Sequence, residues 1–124
     1  MNAYSISKLA RDAGVSVHIV RDYTVRGLLQ PAQRTDSGYG IYDVQALARL
    51  RFVRAAFEAG IGLPELTQLC QALNRGAGNA GECLARVHSL IAARRATLAS
   101  LDLQLARMAD AARPRSAAEN PHAA

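Results

Sequence analysis

The feature that most constrains this chain is a stripe of apolar residues near its C-terminal end. The members lie at alternating spacings of three and four residues, and they are Leu84, Val87, Ile91, Leu98, Leu101, Leu105 and Met108. Arg94 is the one polar residue in the series. This heptad spacing is typical of a coiled coil, in which helices bury a strip of apolar side chains against each other. We therefore predict a coiled-coil helix over residues 82 to 109.

The length of this helix predicts a partner chain. A helix over residues 82 to 109 would be about 42 Å long at ~1.5 Å per residue. The whole chain has 124 residues, which suffices for one small domain plus an extension, and only 5% of them are aromatic. A domain of this size cannot cover so long a stripe, so we expect a homodimer in which the seven stripe residues form the contact. A single helix that folds back over its own domain is the alternative.

Two short helices are predicted near the N terminus. Ser5 is a good N-cap for a helix that Gly14 interrupts, and Ser16 is a good N-cap for a second helix that ends at Gly27. Two short helices joined by a tight turn form a helix-turn-helix, whose second helix can enter the major groove of DNA. The pattern alone is not specific, because many small helical bundles begin in the same way.

A small β wing and two more helices are predicted to follow. Turn residues at 35 to 38 precede a short β-like segment of Tyr39, Ile41 and Tyr42. Asp43 can cap a third helix, and Pro64 suits the first turn of a fourth. The residues expected to face inward on the third helix are Val44, Leu47, Leu50, Val53 and Phe57, and those on the fourth are Leu66, Leu69, Cys70 and Leu73.

These elements predict a mainly all-α chain in three parts. A winged helix-turn-helix domain occupies residues 1 to 75, the coiled-coil dimerisation helix residues 82 to 109, and a disordered Pro/Ala-rich tail residues 110 to 124. The net charge of +5 suits an anionic partner such as nucleic acid, although an arginine-rich surface without such a partner would give the same charge.

The remaining composition excludes several classes of function. The chain begins without the apolar core of a signal peptide and has no apolar run of ~18 residues, so we expect a cytoplasmic protein without a membrane partner. Cys70 and Cys83 are then reduced thiols. A phosphate-binding glycine loop, a nucleophile motif and a zinc-ligand spacing are all missing from the sequence. We therefore expect no enzyme activity, no cofactor and no metal site.

Three stretches resemble motifs of the MerR family of bacterial transcription regulators. ISKLARDAGVSVHIVRDY is similar to the opening motif of the family, RGLLQPAQRTDSGYGIYD to its wing motif, and LRFVRAAFEAGIGLPEL to the helix pair that follows. The resemblance covers residues 4 to about 75 closely and the coiled coil more loosely. Within the family, the chain looks like the small secondary regulator of mercury-resistance operons.

The resemblance implies a dimer that places two recognition helices in successive major grooves of double-stranded operator DNA and two wings on the flanking phosphates. Carried over to this sequence, the residues that would bind DNA are Ser16, Val17, His18, Arg21, Tyr23, Arg34, Tyr39 and Tyr42. Val17, His18 and Arg21 would face the groove, whereas Tyr23 and Tyr42 would meet the backbone. The tyrosines could instead be core or surface aromatics, and His18 could simply be exposed to solvent.

Three positions depart from the family pattern near the DNA. Gly40 and Gln33 stand where arginines are common, and Asp22 replaces an aromatic residue. Metal-sensing members hold a soft metal with thiolates at both ends of the dimer helix, but here no cysteine follows Cys83. We therefore expect weak DNA binding and no mercury sensing, with Cys83 as an incidental mercury ligand at most.

The function implied by the resemblance is that of a co-regulator. It would bind the operator of a mercury-resistance operon weakly as a dimer and down-regulate or reset its expression. The alternative is a protein-interaction module that antagonises or removes a primary MerR-type activator. That activator and RNA polymerase at the promoter are further partners that the resemblance suggests.

Overall fold

The structure is a computed structural model that describes residues 3–76 and 78–114. The elements of this part, in chain order, are α1 (Ile6–Ala13), α2 (Val17–Val25), β1 (Gln33–Arg34), β2 (Gly40–Ile41), α3 (Val44–Glu58), α4 (Leu63–Arg75) and α5 (Ala80–Ala112). The prediction of a mainly helical chain with a small β wing is confirmed. The chain divides into two compact units, Met1–Ile91 and Ala92–Ala124.

Side-chain caps begin three of the helices at the residues that the sequence predicts. The Ser5 hydroxyl accepts a hydrogen bond from the Lys8 amide at the start of α1, and the Ser16 hydroxyl accepts one from the Ile19 amide at the start of α2. The Asp43 carboxylate does the same for α3. Gly14 ends α1 with φ of 71°, a left-handed conformation that costs glycine little. Local chemistry therefore fixes the helix-turn-helix.

The wing is a short antiparallel hairpin that the N-terminal segment anchors. Gln33 pairs with Ile41 and Arg34 with Gly40 across β1 and β2. Beyond the hairpin, Tyr4 and Tyr42 exchange two backbone hydrogen bonds of 2.8 Å. A two-stranded ribbon alone is only marginally stable in water, so this extra bridge helps to hold the wing in place.

The core of the first unit is built from apolar residues of all its helices. The largest fully buried side chains are Leu9, Val20, Leu28, Leu29, Leu50, Val53, Leu66, Leu69 and Cys70. Val87, near the start of α5, lies in the same core. The expectation that Val87 faces a partner chain therefore needs correction, because its own chain already covers it.

Three residues expected to face inward are exposed instead. Val44, Phe57 and Leu73 are 51%, 43% and 37% accessible to solvent. On α3 the buried face runs through Ala46, Leu47, Leu50, Val53 and Ala56. Phe57 follows Val53 by four residues and so lies on the same side of α3, but it stands in the last turn of the helix, which ends at Glu58.

Helix α5 is longer than the heptad pattern predicts. It begins at Ala80 and ends at Ala112, whereas the prediction was residues 82 to 109. Residues 110 to 112, which were assigned to a disordered tail, continue the helix, and residues 115 to 124 lie outside the described residues. In the second unit the stripe residues Leu98, Leu101, Leu105 and Met108 are all exposed within the single chain.

A hydroxyl pair joins the wing to α2. The Thr24 Oγ1 donates to the Val20 carbonyl at 2.7 Å, and it lies 2.8 Å from the Tyr42 hydroxyl oxygen. Because the single Thr24 hydroxyl hydrogen is used on Val20, Tyr42 is the donor in the second bond. Tyr42 is itself buried, so its ring packs in the core while its hydroxyl holds α2.

We predict that Tyr42→Phe lowers the free energy of unfolding by about 0.5 to 1.5 kcal/mol, the usual net value of one intramolecular hydrogen bond. Urea denaturation followed by circular dichroism measures the change. Tyr39→Phe is the matched control, because Tyr39 is 68% exposed and should leave stability unchanged. Equal effects of the two substitutions would show that the Thr24–Tyr42 bond contributes nothing to stability.

Candidate nucleic-acid interface

Helix α2 exposes one face to solvent, and most residues of this face are polar. Val20 and Tyr23 point into the core, and Val17 and Ile19 pack at its margin. On the opposite side, His18, Arg21 and Val25 are exposed and Asp22 is partly exposed. Their spacing of three and four residues places them on one face of the helix. This stripe of His18, Arg21, Asp22 and Val25 is the surface of α2 that a groove could receive.

Val25 is a member of the stripe that the sequence-based prediction missed. It is 87% exposed, the largest exposure among the large apolar residues of the described part. An exposed apolar side chain on such a stripe can contact the methyl group of a thymine. The signal was present in the sequence, because Val25 lies seven residues, or two helical turns, after His18.

An ion pair offsets the negative charge on the stripe. Arg26 Nε donates to Asp22 Oδ2 at 2.9 Å, and both side chains are substantially exposed. An exposed pair of this kind contributes only about 0 to 1 kcal/mol to stability. The pair also matters for an anionic partner, because Arg26 reduces the repulsion that an unpaired Asp22 would cause. The same pairing also makes Arg26 less available for phosphate.

Tyr23 lies in the core with its hydroxyl bound by an arginine. Arg54 Nη1 of α3 donates to the Tyr23 hydroxyl oxygen at 3.3 Å. This hydrogen bond raises the pKa of the Arg54 guanidinium, and burial opposes the increase. Because the Tyr23 hydroxyl accepts from Arg54, its own hydrogen is left for another acceptor, but the residue is buried and offers little surface to a phosphate. Arg54 was not among the predicted site residues, since nothing in the sequence pairs positions 31 residues apart.

The wing separates the predicted tyrosines into two environments. Tyr39 is exposed at the hairpin, where Arg34 is also exposed and donates from Nη1 to the Gly38 carbonyl at 3.3 Å. Tyr42 is buried and bonded to Thr24, which makes it a core residue in this chain. Arg34 and Tyr39 therefore lie together on an accessible surface, whereas Tyr42 is buried and contacts α2 through its bond to Thr24.

Gly40 does not leave an open gap in the wing. A Cβ atom added at Gly40 would lie 3.3 Å from the Pro31 Cβ and 3.3 Å from the Tyr42 hydroxyl oxygen. Both distances are tighter than ordinary van der Waals contacts, so a larger side chain would press on the residue that holds α2. Gln33, by contrast, is exposed on β1 and could be replaced without such contact.

The two cysteines occupy different environments within the first unit. Burial raises the pKa of the Cys70 thiol, and nearby Arg49 opposes the shift. Cys83 is partly buried and packs against the core. Within residues 3–76 and 78–114, no three His, Cys, Asp or Glu side chains come together as a metal site. The same residues contain no helix with the length and hydropathy of a membrane span.

Comparison with known proteins agrees with this arrangement. The family model of the MerR HTH family regulatory proteins matches residues 4–73. The HTH-type transcriptional regulator MerD of Acinetobacter calcoaceticus is 59% identical over 109 residues, which cover 87% of this chain and 90% of that protein. The MerD protein of Shigella flexneri is 61% identical over 109 residues, with 87% and 91% coverage.

The fold is also similar to that of a regulator whose structure was solved with DNA bound. HiNmlR, a MerR family regulator lacking the sensor domain and bound to promoter DNA, superimposes with a TM-score of 0.67 over 88% of this chain and 83% of its own. At 22% identity this likeness shows the fold alone. The relatives are transcriptional regulators, and the chain is not an enzyme. From its matched motifs and from its identity to these regulators over most of their length, the chain belongs to the MerR family of helix-turn-helix regulatory proteins.

Proposed function

We propose that the chain is a co-regulator of a mercury-resistance operon, which it binds weakly at the operator as a dimer and whose expression it lowers or resets. The observation that carries the DNA-binding part is the exposed stripe of His18, Arg21, Asp22 and Val25 on α2. The choice of operon rests on the likeness of the sequence to secondary regulators of mercury resistance and on its high identity to MerD proteins.

The stripe carries the chemistry that reads bases in a major groove. Arg21 can donate two hydrogen bonds to a guanine edge, and Val25 can contact a thymine methyl group. His18 supplies a further polar group one turn earlier. Ser16 caps the N-terminus of α2, and the partial positive charge at this end of a helix favours phosphate groups.

Weak binding follows from the small number of cations near this stripe. The hairpin from Gln33 to Ile41 contains Arg34 as its single basic residue. Arg26 is engaged by Asp22 on α2. Phosphate contacts supply most of the sequence-independent affinity of DNA-binding proteins, and each neutralised phosphate steepens the salt dependence of binding. A protein with few such contacts occupies its operator briefly and yields to a more basic activator.

A dimer is supported by the exposed apolar side chains of α5. Leu98, Leu101, Leu105 and Met108 recur at heptad spacing and are uncovered in the single chain. A second copy offers an identical strip, so two such helices would cover each other. Leu84 and Ile91 continue the strip towards the start of α5 and are also exposed, whereas Val87 is committed to its own core.

A second candidate function is an interaction module that removes or antagonises the primary MerR-type activator. The observation that favours it is the same strip of exposed leucines, which could pair with the coiled-coil helix of a related activator as readily as with a second copy. The single basic residue of the hairpin also fits a protein whose main target is another protein.

A gel-shift titration on a duplex of the mercury-resistance operator distinguishes the two functions. The chain is titrated alone and in the presence of the primary activator. We expect the chain alone to shift the duplex at higher concentration than the activator does, and to replace the activator when in excess. A chain that removes the activator without shifting the duplex would support the interaction module instead. A chain that does neither would refute both functions.

We predict that Leu98→Asp combined with Leu101→Asp converts the dimer to a monomer, because each substitution would bury an unpaired carboxylate in the contact. Light scattering measures the mass. Leu103→Asp is the matched control, since Leu103 is exposed on α5 but lies outside the heptad strip. If the double variant stays a dimer, or if the control dissociates as well, the contact lies elsewhere.

We predict that Gln33→Arg steepens the salt dependence of DNA binding. Two added phosphate contacts per dimer would increase the slope of log K against log salt by about two units, at roughly 0.9 per phosphate. Ser100→Arg adds the same charge outside the hairpin and serves as the control. Equal slopes for the two variants would show that the wing does not lie on the phosphate backbone.

A further inference from the structure

Three side chains hold the segment that follows the recognition helix. Gln71 Nε2 donates to the Arg26 carbonyl at 3.0 Å, and Asn74 Nδ2 donates to the Gly27 carbonyl at 2.9 Å. Arg49 Nη1 donates to the Leu28 carbonyl at 3.4 Å and to Asn74 Oδ1 at 3.0 Å. We call Arg49, Gln71 and Asn74 the carbonyl clamp. They come from α3 and α4, and they bind the three successive carbonyls that follow α2.

The clamp satisfies carbonyls of the turn that follows α2. At the end of the helix itself, the carbonyls of residues 22 to 24 already accept hydrogen bonds from the backbone amides of residues 26 to 29. A carbonyl in the turn beyond needs another donor, and on a surface this is usually water. Here the donors are side chains of two other helices, which ties the end of α2 to a fixed place. α4 approaches this segment closely at Gly27, where an added Cβ would lie 2.9 Å from the Gln71 Cγ. Gly27 also has a φ of +84°, a conformation that favours glycine.

The same helix that carries two clamp residues also contacts the start of α5. Arg86 Nη1 of α5 donates to Gln68 Oε1 of α4 at 3.2 Å. Val87 of α5 lies in the core that α4 lines with Leu66 and Leu69. Both contacts fall within the first unit. α4 is therefore bonded on one side to the recognition helix and on the other to the first turns of the helix that we expect to dimerise.

We propose that Arg49, Gln71 and Asn74 are positioning residues that set the orientation of the recognition helix and thereby its discrimination between operator and other DNA. This inference rests on the proposed operator binding. Base contacts require the stripe of α2 to meet base edges at hydrogen-bond distance, whereas contacts to phosphate tolerate a wider range of positions. Loosening the clamp therefore weakens binding to the operator and leaves binding to unrelated DNA largely intact.

The experiment compares full-length variants on two duplexes of equal length, the mercury-resistance operator and a random sequence. Gln71→Met and Asn74→Leu remove clamp donors without changing the charge of the protein. Gln68→Met is the matched control, because it removes a hydrogen bond from the same helix that leads to α5 and not to α2. Gln71→Lys retains a donor for the Arg26 carbonyl. Fluorescence anisotropy gives both affinities, and circular dichroism verifies folding.

We expect Gln71→Met, which loses one hydrogen bond, and Asn74→Leu, which loses two, to lower operator affinity by about five- to tenfold. Random-duplex affinity should change less than twofold, Gln68→Met should behave as the wild type, and Gln71→Lys should recover the ratio of the two affinities. A parallel loss on both duplexes, or an unchanged ratio, overturns the inference. If Asn74→Leu does not fold, the Gln71 pair alone decides. A wild-type chain with no operator preference would refute the proposed function itself.

Discussion

The burial of one face of α2 is the constraint on which the rest of the interface depends. Val20 and Tyr23 are almost completely removed from solvent, and a Val-sized side chain gains about 1.5 to 3 kcal/mol on full burial. Because a helix has a fixed period, committing these two residues to the core leaves His18, Arg21 and Val25 outside. The exposed stripe is thus a consequence of core packing.

Hydrogen bonds from other elements hold α2 in place, although few basic side chains surround it. Tyr42 donates to Thr24 in the last turn of the helix, Arg54 donates to the Tyr23 hydroxyl, and Gln71 binds the Arg26 carbonyl just after its end. None of these three contacts needs DNA. If α2 is the recognition helix, as we propose, a helix held in this way loses little entropy on binding, and selectivity is then compatible with few phosphate contacts. Low affinity and good discrimination are compatible in such a chain.

Much of this fold could be predicted because its signals are local. Ser5, Ser16 and Asp43 cap helices by accepting from the amide three residues later, and the heptad spacing predicts α5 directly. The burial of α3 was harder to predict, since Ala46 and Ala56 carry little hydrophobic signal while the larger Val44 and Phe57 are exposed. Alanine fits against a neighbouring helix where a phenylalanine would not, and only the packing reveals this.

The contacts that orient α2 could not be read from the sequence. Arg54 and Tyr23 are 31 positions apart, and Asn74 and Gly27 are 47 positions apart. A tyrosine can pack in a core or contact the DNA backbone, so the sequence did not decide between these two roles for Tyr23 and Tyr42. Folding places both rings in the core and leaves Arg34 and Tyr39 accessible on the wing.

Hydroxyl-radical footprinting of the chain alone on the operator duplex tests the central claim most directly. If two recognition helices enter successive major grooves, two protected segments should appear, separated by about one helical turn, or roughly 10 base pairs. Arg21→Ala should weaken both segments together, because the two subunits of a dimer carry the same residue. Uniform weak protection without two segments, or protection that Arg21→Ala leaves unchanged, would contradict the assignment of α2 as the recognition helix.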